Sequence, residues 1–179
     1  MRDYLFEEIL DRRANVTRPS VRVDQELLAH EPEYALIEAA VPLRLRPLRA
    51  TLDATLLGAF PRAGAVAYAA SGDLRAQDRI GVIQGLTTLR ADAGEDSREL
   101  EVANPESLAP GQRLHLREAE ACVEGRVAEV AGSTVRLREP LAMGFRAGAN
   151  VERIESWEVL GVEEAGSGHH LRVALRRRV

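Results

Sequence analysis

The sequence predicts a mainly β protein with two β units and a short N-terminal helix. Short segments in which apolar and polar residues alternate recur along the chain, and turn-forming Gly, Pro and Asn separate them. Hydrophobic residues make up 45% of the 179 residues, while aromatic residues make up only 4%, so Leu, Val and Ala must build the core. A chain of this length forms one ordinary domain, or a small domain with an additional module.

The N-terminal region is predicted to contain a helix followed by an extended arm. Residues 3–10 have helical apolar spacing after a capping Asp, and residues 15–25 show no clean period. The arm is therefore expected to order on a partner. The acidic start does not resemble a signal peptide, and no run of about 18 apolar residues predicts a membrane span, so a soluble protein is expected.

The next segment predicts three strands and a short helix. Residues 41–48 alternate, with Val and Leu on one face and Arg on the other, and their two prolines indicate an edge strand or strand ends. Residues 51–60 predict one or two helical turns that end before Pro61. Further strands are predicted at residues 65–69 and around Arg79-Ile80.

From Thr87 onwards, short alternating strands and turns predict a compact all-β unit of about 70 residues. Its strands are expected at residues 99–102, 113–116 and 134–137. Gly132-Ser133 has the length and composition of a tight hairpin turn. A second hairpin is predicted at the C-terminus, where Trp157 and Val159 share one face of a strand, as do Leu171, Val173 and Leu175 in the next.

Charge and cysteine usage exclude some functions. All 24 cationic residues are arginine, and the net charge is −4, whereas a protein that grips duplex DNA needs a cationic excess. Arginine pairs with carboxylates in a planar, bidentate manner that suits interfaces between subunits. Cys122 is the single cysteine, so neither an internal disulfide nor a cysteine-based zinc site can form within one chain.

His169 and His170 are the most conspicuous candidates for chemistry. Neighbouring residues in a strand point to opposite faces, so the two cannot share one metal ion if the strand begins at or before His169. Ser167 lies nearby, but no nucleophile-elbow motif surrounds it. Structural or interfacial roles are expected for both histidines, and no catalytic, metal-binding or cofactor-binding residue is predicted.

Four stretches resemble the head closure proteins of tailed bacteriophages, also called stoppers or head-tail joining proteins. They are VPLRLRPL at residues 41–48, DRI at 78–80, WEVLGV at 157–162 and GHHL at 168–171. The C-terminal hairpin is the most specific part, and the regions of the chain in which these stretches lie make up about half of it. The chain departs from the family pattern at Leu43, where the family often has Cys, and at Gln77, where it usually has Gly.

The larger departure is the stretch between Ile80 and Trp157, which the family keeps short. This stretch resembles a small β module common in phage structural proteins, with TTL at 87–89 and GANV at 148–151. The resemblance therefore divides the chain into three parts. They are residues 1–35 (helix and arm), residues 36–82 with 155–179 (a discontinuous head-closure-like β-barrel), and residues 83–154 (an inserted β module).

The resemblance implies a β-barrel that forms a homo-oligomeric ring below the phage portal or adaptor protein. Such a ring lets double-stranded DNA pass without sequence preference and attaches the tail through a tail terminator or tail tube protein. It implies a place in the neck of the virion, with the host cytoplasm before assembly, and no cofactor or membrane contact. The candidate interface residues are Leu5, Phe6, Ile9, Leu56, Leu57, Phe60, His169, His170, Arg176, Arg177 and Arg178.

Three alternatives compete with head closure. A tail terminator or another neck or tail ring protein can use a similar barrel. A nucleic-acid-binding barrel would need aromatic residues on a cationic face, whereas Tyr68 and Trp157 stand alone. An enzyme would need convergent acid and base groups, and its candidates fall mostly in turns. These candidates are Asp73, Asp78, Glu163, Glu164 and His169.

Overall fold

The computed structural model describes residues 10–20, 33–49, 53–70, 73–165 and 170–178. The described part of the chain is 61% strand and 4% helix, which confirms the mainly β fold class. Its elements are β1 (Arg12–Ser20), β2 (Glu33–Pro47), α1 (Ala54–Ala59), β3 (Ala65–Ala70), β4 (Arg79–Thr88), β5 (Glu99–Glu101), β6 (Arg113–Glu118), β7 (Ala121–Ala131), β8 (Thr134–Leu137), β9 (Asn150–Ala165) and β10 (His170–Arg177). The helix predicted at residues 3–10 lies outside the described residues except for Leu10, which is not helical.

The ten strands form one antiparallel sheet in the order β10-β3-β2-β1-β4-β9-β6-β7-β8-β5. The sheet as a whole does not close into a barrel. β10, the first strand in this order, also pairs with β9. It therefore has two hydrogen-bonded neighbours, β3 and β9.

The contacts within the chain divide it into two compact units. The first unit comprises Met1–Val82 and Ser156–Val179, and the second unit comprises Ile83–Glu155. Both boundaries fall inside long strands, β4 and β9. The predicted limits of the inserted module, residues 83–154, differ from those of the second unit by one residue.

The expectation of an extended arm at residues 15–25 is wrong for its first part, because β1 lies between β2 and β4. Ala14 and Val16 are buried in the first unit, and so are the polar Asn15 and Thr17. The Asn15 Oδ1 accepts a hydrogen bond of 3.1 Å from the N–H of Ala40. Ala40 has a φ of +54° and lies next to a register shift in the β1–β2 pair. The buried amide therefore satisfies the backbone of a β-bulge.

β2 has β1 on one side and β3 on the other, so the edge position predicted for residues 41–48 is wrong. Pro47 is the last residue of the strand, as the alternative interpretation predicts. Pro42 pairs with Arg13 of β1 and lies one residue before the pairing with β3 begins at Leu43. Proline has no N–H, so a position with a partner on one side only accommodates it.

The main core of the first unit comes from small and branched aliphatic residues and from Trp157. Its largest fully buried aliphatic side chains are Leu43, Ile80 and Leu175, each no more than 2% exposed. The core of the second unit consists of apolar side chains on the inward positions of its strands, with Phe145 as its aromatic member. Each unit thus has its own core, as an independently packed β unit requires.

The hairpin predicted at Gly132-Ser133 is confirmed. Ala131 of β7 pairs with Thr134 of β8, which leaves a two-residue loop between them. Gly132 has a φ of +58°, the positive value that tight hairpin turns require of their first central residue.

α1 confirms the short helix predicted within residues 51–60, and it covers a small separate core. Leu56 of α1, Val66 of β3 and Ala174 of β10 are completely buried there, with Phe60 packed against them. A Cβ atom added at Gly161 of β9 would overlap the ring of Phe60. The backbone of β9 therefore approaches this ring more closely than any other residue type permits.

We expect the Gly161→Ala protein to lose about 1–3 kcal/mol of unfolding free energy, because the added methyl group must displace the Phe60 ring. Gly58→Ala is the matched control, since a Cβ at Gly58 in α1 meets no atom within 4 Å. This control should be neutral or stabilising, because Ala favours a helix over Gly. Urea unfolding of both proteins measures the difference. Equal stability of the two variants would contradict the expected overlap.

Candidate functional site

The described candidate interface residues all belong to the first unit, on α1 and the residue after it and on β10 and the residue after it. Leu5, Phe6, Ile9 and His169 lie outside the described residues. Leu56 is wrong as an interface residue, because it is 0% exposed and packs inside the chain. Leu57 and Phe60 are partly buried, and Phe60 is already engaged with the backbone of Gly161.

The C-terminal arginines project from β10 and the residue that follows it. Arg176 donates a hydrogen bond of 2.5 Å to Glu158 of β9, which directly opposes it in the sheet. The N–H of Arg178 bonds to the carbonyl of Ser156 at 2.9 Å, so the chain remains attached to β9 beyond the strand. Arg177 is exposed. Arg177 is therefore the exposed arginine of the three, and pairing with β9 sets the backbone position of each.

His170 occupies a position in the sheet. It pairs with Ala70 of β3 and Ala165 of β9, and its ring centroid lies 6.0 Å from that of Tyr68. Within the described ranges, no group of three or more His, Cys, Asp or Glu residues is arranged to hold a metal ion. The surroundings of His170 are those of a packed, partly exposed histidine.

Asp53, which precedes α1, is the centre of a buried ion cluster that sequence analysis did not identify. Its carboxylate is 1% exposed and accepts a bidentate pair of hydrogen bonds from Arg46 of β2, at 2.8 and 2.9 Å. Arg172 of β10 donates a further hydrogen bond of 3.1 Å, and the N–H of Arg49 donates one of 2.8 Å. Arg46 also bonds to the hydroxyl of Tyr68 at 2.8 Å. The cluster thus ties the start of α1 to the strands beneath it.

The electrostatics of this cluster favour the ionised pair. The hydrogen bond from Arg46 is the largest cause that holds the pKa of Asp53 well below its ordinary value of 3.8, and burial opposes it. The same bond raises the pKa of Arg46. A buried carboxylate with several charge-assisted donors is a strong structural connection. The residues of this cluster are therefore bonded to one another within the chain.

A second ion cluster attaches β1 to the start of β4, where the DRI stretch lies. The buried carboxylate of Asp78 accepts hydrogen bonds from Nε and Nη2 of Arg18, at 2.8 and 2.9 Å, and from the N–H of Arg75 at 2.9 Å. Arg18 also reaches Asp73, at 3.0 Å. The bond to Asp78 raises the pKa of Arg18, and the bond from Arg18 lowers that of the exposed Asp73.

The acidic residues considered for an enzyme do not meet at one point among the described residues. Asp73 and Asp78 bind Arg18, whereas Glu163 lies 3.8 Å from Arg172 on the C-terminal hairpin. Glu164 is exposed on β9. Asp73, Asp78 and Glu163 thus serve as ion-pair partners.

No protein-family model and no curated protein sequence matches this chain. The one helix in the described ranges, α1, has six residues, and none there is long and apolar enough to cross a membrane.

Proposed function

We propose that this protein is a head closure protein of a tailed bacteriophage. It forms a homo-oligomeric ring below the portal or adaptor protein, extends the DNA channel, closes it after packaging, and offers the attachment surface for the tail. It acts in the neck of the virion and is present in the host cytoplasm before assembly. It has no enzymatic role in this proposal.

One observation carries the proposal: the DRI and WEVLGV stretches are hydrogen-bonded to each other, although about 70 residues separate them in sequence. The N–H of Gln77 bonds to the carbonyl of Val159, and the N–H of Val159 bonds to the carbonyl of Asp78, both at 2.8 Å. Residues 41–47 of VPLRLRPL are in β2, WEVLGV is in β9, and both stretches belong to the first unit. The intervening residues have their own core, as expected of a module added to a complete frame.

The charge distribution supports non-specific passage of DNA. The first unit has 15 arginines and 15 acidic residues, whereas the second unit has 9 arginines and 13 acidic residues. A neutral frame neither grips nor strongly repels the phosphate backbone. The acidic second unit suits a position away from the channel, toward solvent or another virion protein.

The proposal is tested by electron microscopy of the protein mixed with the portal, adaptor and tail proteins encoded beside it. We expect rings that join the portal side to the tail side. Arg177→Glu should prevent joining, because it reverses an exposed charge at the C-terminal end of β10. Arg138→Glu is the matched control on the second unit and should join normally. Complexes with tail components alone would favour a tail terminator instead.

The isolated protein should bind duplex DNA weakly, and its affinity should fall steeply with salt, because only scattered phosphate contacts are available. Fluorescence anisotropy at physiological salt measures this. Sub-micromolar binding that depends on sequence would contradict head closure and favour a nucleic-acid-binding regulator.

A further inference from the structure

A buried histidine occupies the centre of a charged face in the second unit. β6 lies between β7 and β9, and His115 of β6 directly opposes Glu124 on one side and Glu152 on the other. Directly opposed residues of an antiparallel pair project to the same face. The imidazole therefore lies between two carboxylates, and His115 and Glu152 are each only 2% exposed.

Both carboxylates already have arginine partners from the same strand as the histidine. Arg113 donates to Oε1 of Glu124. Nε and Nη2 of Arg117 donate to Oε1 of Glu152, at 3.0 and 2.9 Å. The two ion pairs flank His115, and each is neutral in itself, so these four side chains add no net charge beside the imidazole.

The remaining groups of this face add no negative charge. Arg126 of β7 opposes Arg113, and Cys122 of β7 opposes Arg117. Burial raises the pKa of Cys122 to about 12, so the thiol is neutral at physiological pH. With three guanidiniums and two carboxylates, a proton on His115 would add positive charge to a face that already has a cationic excess.

We propose that His115 makes the second unit sensitive to mild acid, by joining β7, β6 and β9 only while its ring is neutral. Burial, the largest cause, lowers the pKa of His115 below its ordinary 6.5, and Arg117 acts in the same direction. Glu124 and Glu152 oppose this shift. This device belongs to the second unit and is independent of the role proposed for the first.

The direction of the effect follows from proton binding. Below the ordinary pKa of 6.5 the unfolded chain binds a proton at His115, whereas the folded unit does not. Acidification therefore shifts the equilibrium toward the unfolded form. The stability contributed by the neutral ring is fully present above pH 6.5. It is lost progressively as the pH falls from 6.5 toward the lower pKa of the folded state.

Thermal unfolding of the full chain at pH 7.5 and pH 5.5 tests the proposal. The transition of the second unit in the wild-type protein should fall by at least ~4 °C, the change expected for a modest destabilisation of a unit this small. His115→Gln, which is always neutral, should show a clearly smaller fall. His170→Gln should behave like the wild type, because it removes a histidine of the first unit. An equal fall in all three proteins would overturn the proposal.

A direct titration covers the case in which His115→Gln does not fold. NMR of the His ring protons in the wild-type protein should show that His115 titrates below 6.5. In a second measurement, cleavage by a protease between residues 83 and 155 should increase at pH 5.5. A His115 that titrates at or above 6.5, or unchanged cleavage, would refute the acid-sensitive role.

Discussion

The Asp53→Asn protein is expected to lose about 3–5 kcal/mol of unfolding free energy, as proteins do when one partner of a buried ion pair is removed. The substitution keeps the shape of the side chain but leaves Arg46 and Arg172 facing a neutral amide. One amide oxygen cannot replace two carboxylate oxygens that accept four hydrogen bonds, at 2.8 to 3.1 Å. The first unit should therefore lose the connection between α1, β2 and β10.

The same substitution should change the response to acid. The folded-state pKa of Asp53 lies below 3.8, so its contribution to stability is present above that pH. As the pH falls through the folded value, the proton is finally bound in both states and the contribution disappears. The difference in stability between the wild type and Asp53→Asn should therefore be largest near neutral pH and shrink in strong acid.

Trp157 is the single tryptophan and lies in the core of the first unit, so its fluorescence during urea unfolding reports on this unit. Glu164→Gln is the matched control, because it removes an exposed carboxylate of the same unit. Its stability should stay within about 0.5 kcal/mol of the wild type. If Asp53→Asn changes stability no more than this control, the ion cluster does not hold the unit together.

Local patterns predicted most of the second unit and the C-terminal hairpin, because strands with one buried face alternate in sequence. The hairpin at Gly132 is an example of such a local pattern. A glycine lies between two alternating segments and has the positive φ that this turn requires. Such elements are specified by residues close in sequence. They could be predicted without knowledge of the tertiary structure.

Long-range partners were not predictable in the same way. By sequence, Asp53 is an ordinary residue of the helical turns predicted at residues 51–60, and its partner Arg172 follows 119 residues later. By sequence, His115 is one residue of an alternating strand, and only the pairing of β6 with both neighbours places it between two carboxylates. Charge pairing across a sheet depends on register, which local sequence patterns do not define.

β1 departs from its sequence pattern for a related reason. Residues 14–17 are all buried, including two polar ones, so burial along the strand does not follow the alternation of apolar and polar side chains. Its buried polar residues, Asn15 and Thr17, resemble those of a loop until the bulge at Ala40 supplies a hydrogen-bond partner. Removal of residues 1–25 would therefore delete a strand of the sheet, and the expectation of an extended arm that orders on a partner is wrong for residues 15–20.

This difference between a strand and an arm leads to a second large effect. The Val16→Asp protein is expected to lose the folded first unit, because Val16 is 3% exposed and has β2 and β4 on its two sides. A buried carboxylate without a partner costs several kcal/mol. The total stability of a small unit is about 5–15 kcal/mol, so the loss is a large part of it.

Arg13→Asp is the matched control, since Arg13 is exposed on the same strand and its replacement introduces the same side chain. It should keep the cooperative fluorescence transition of Trp157, whereas Val16→Asp should abolish it in the isolated protein, without any partner present. In a flexible arm both substitutions would leave this transition intact and would affect only assembly into the neck. If the Val16→Asp protein unfolds at the wild-type urea concentration, β1 is not part of the core of the first unit, and these residues form an arm.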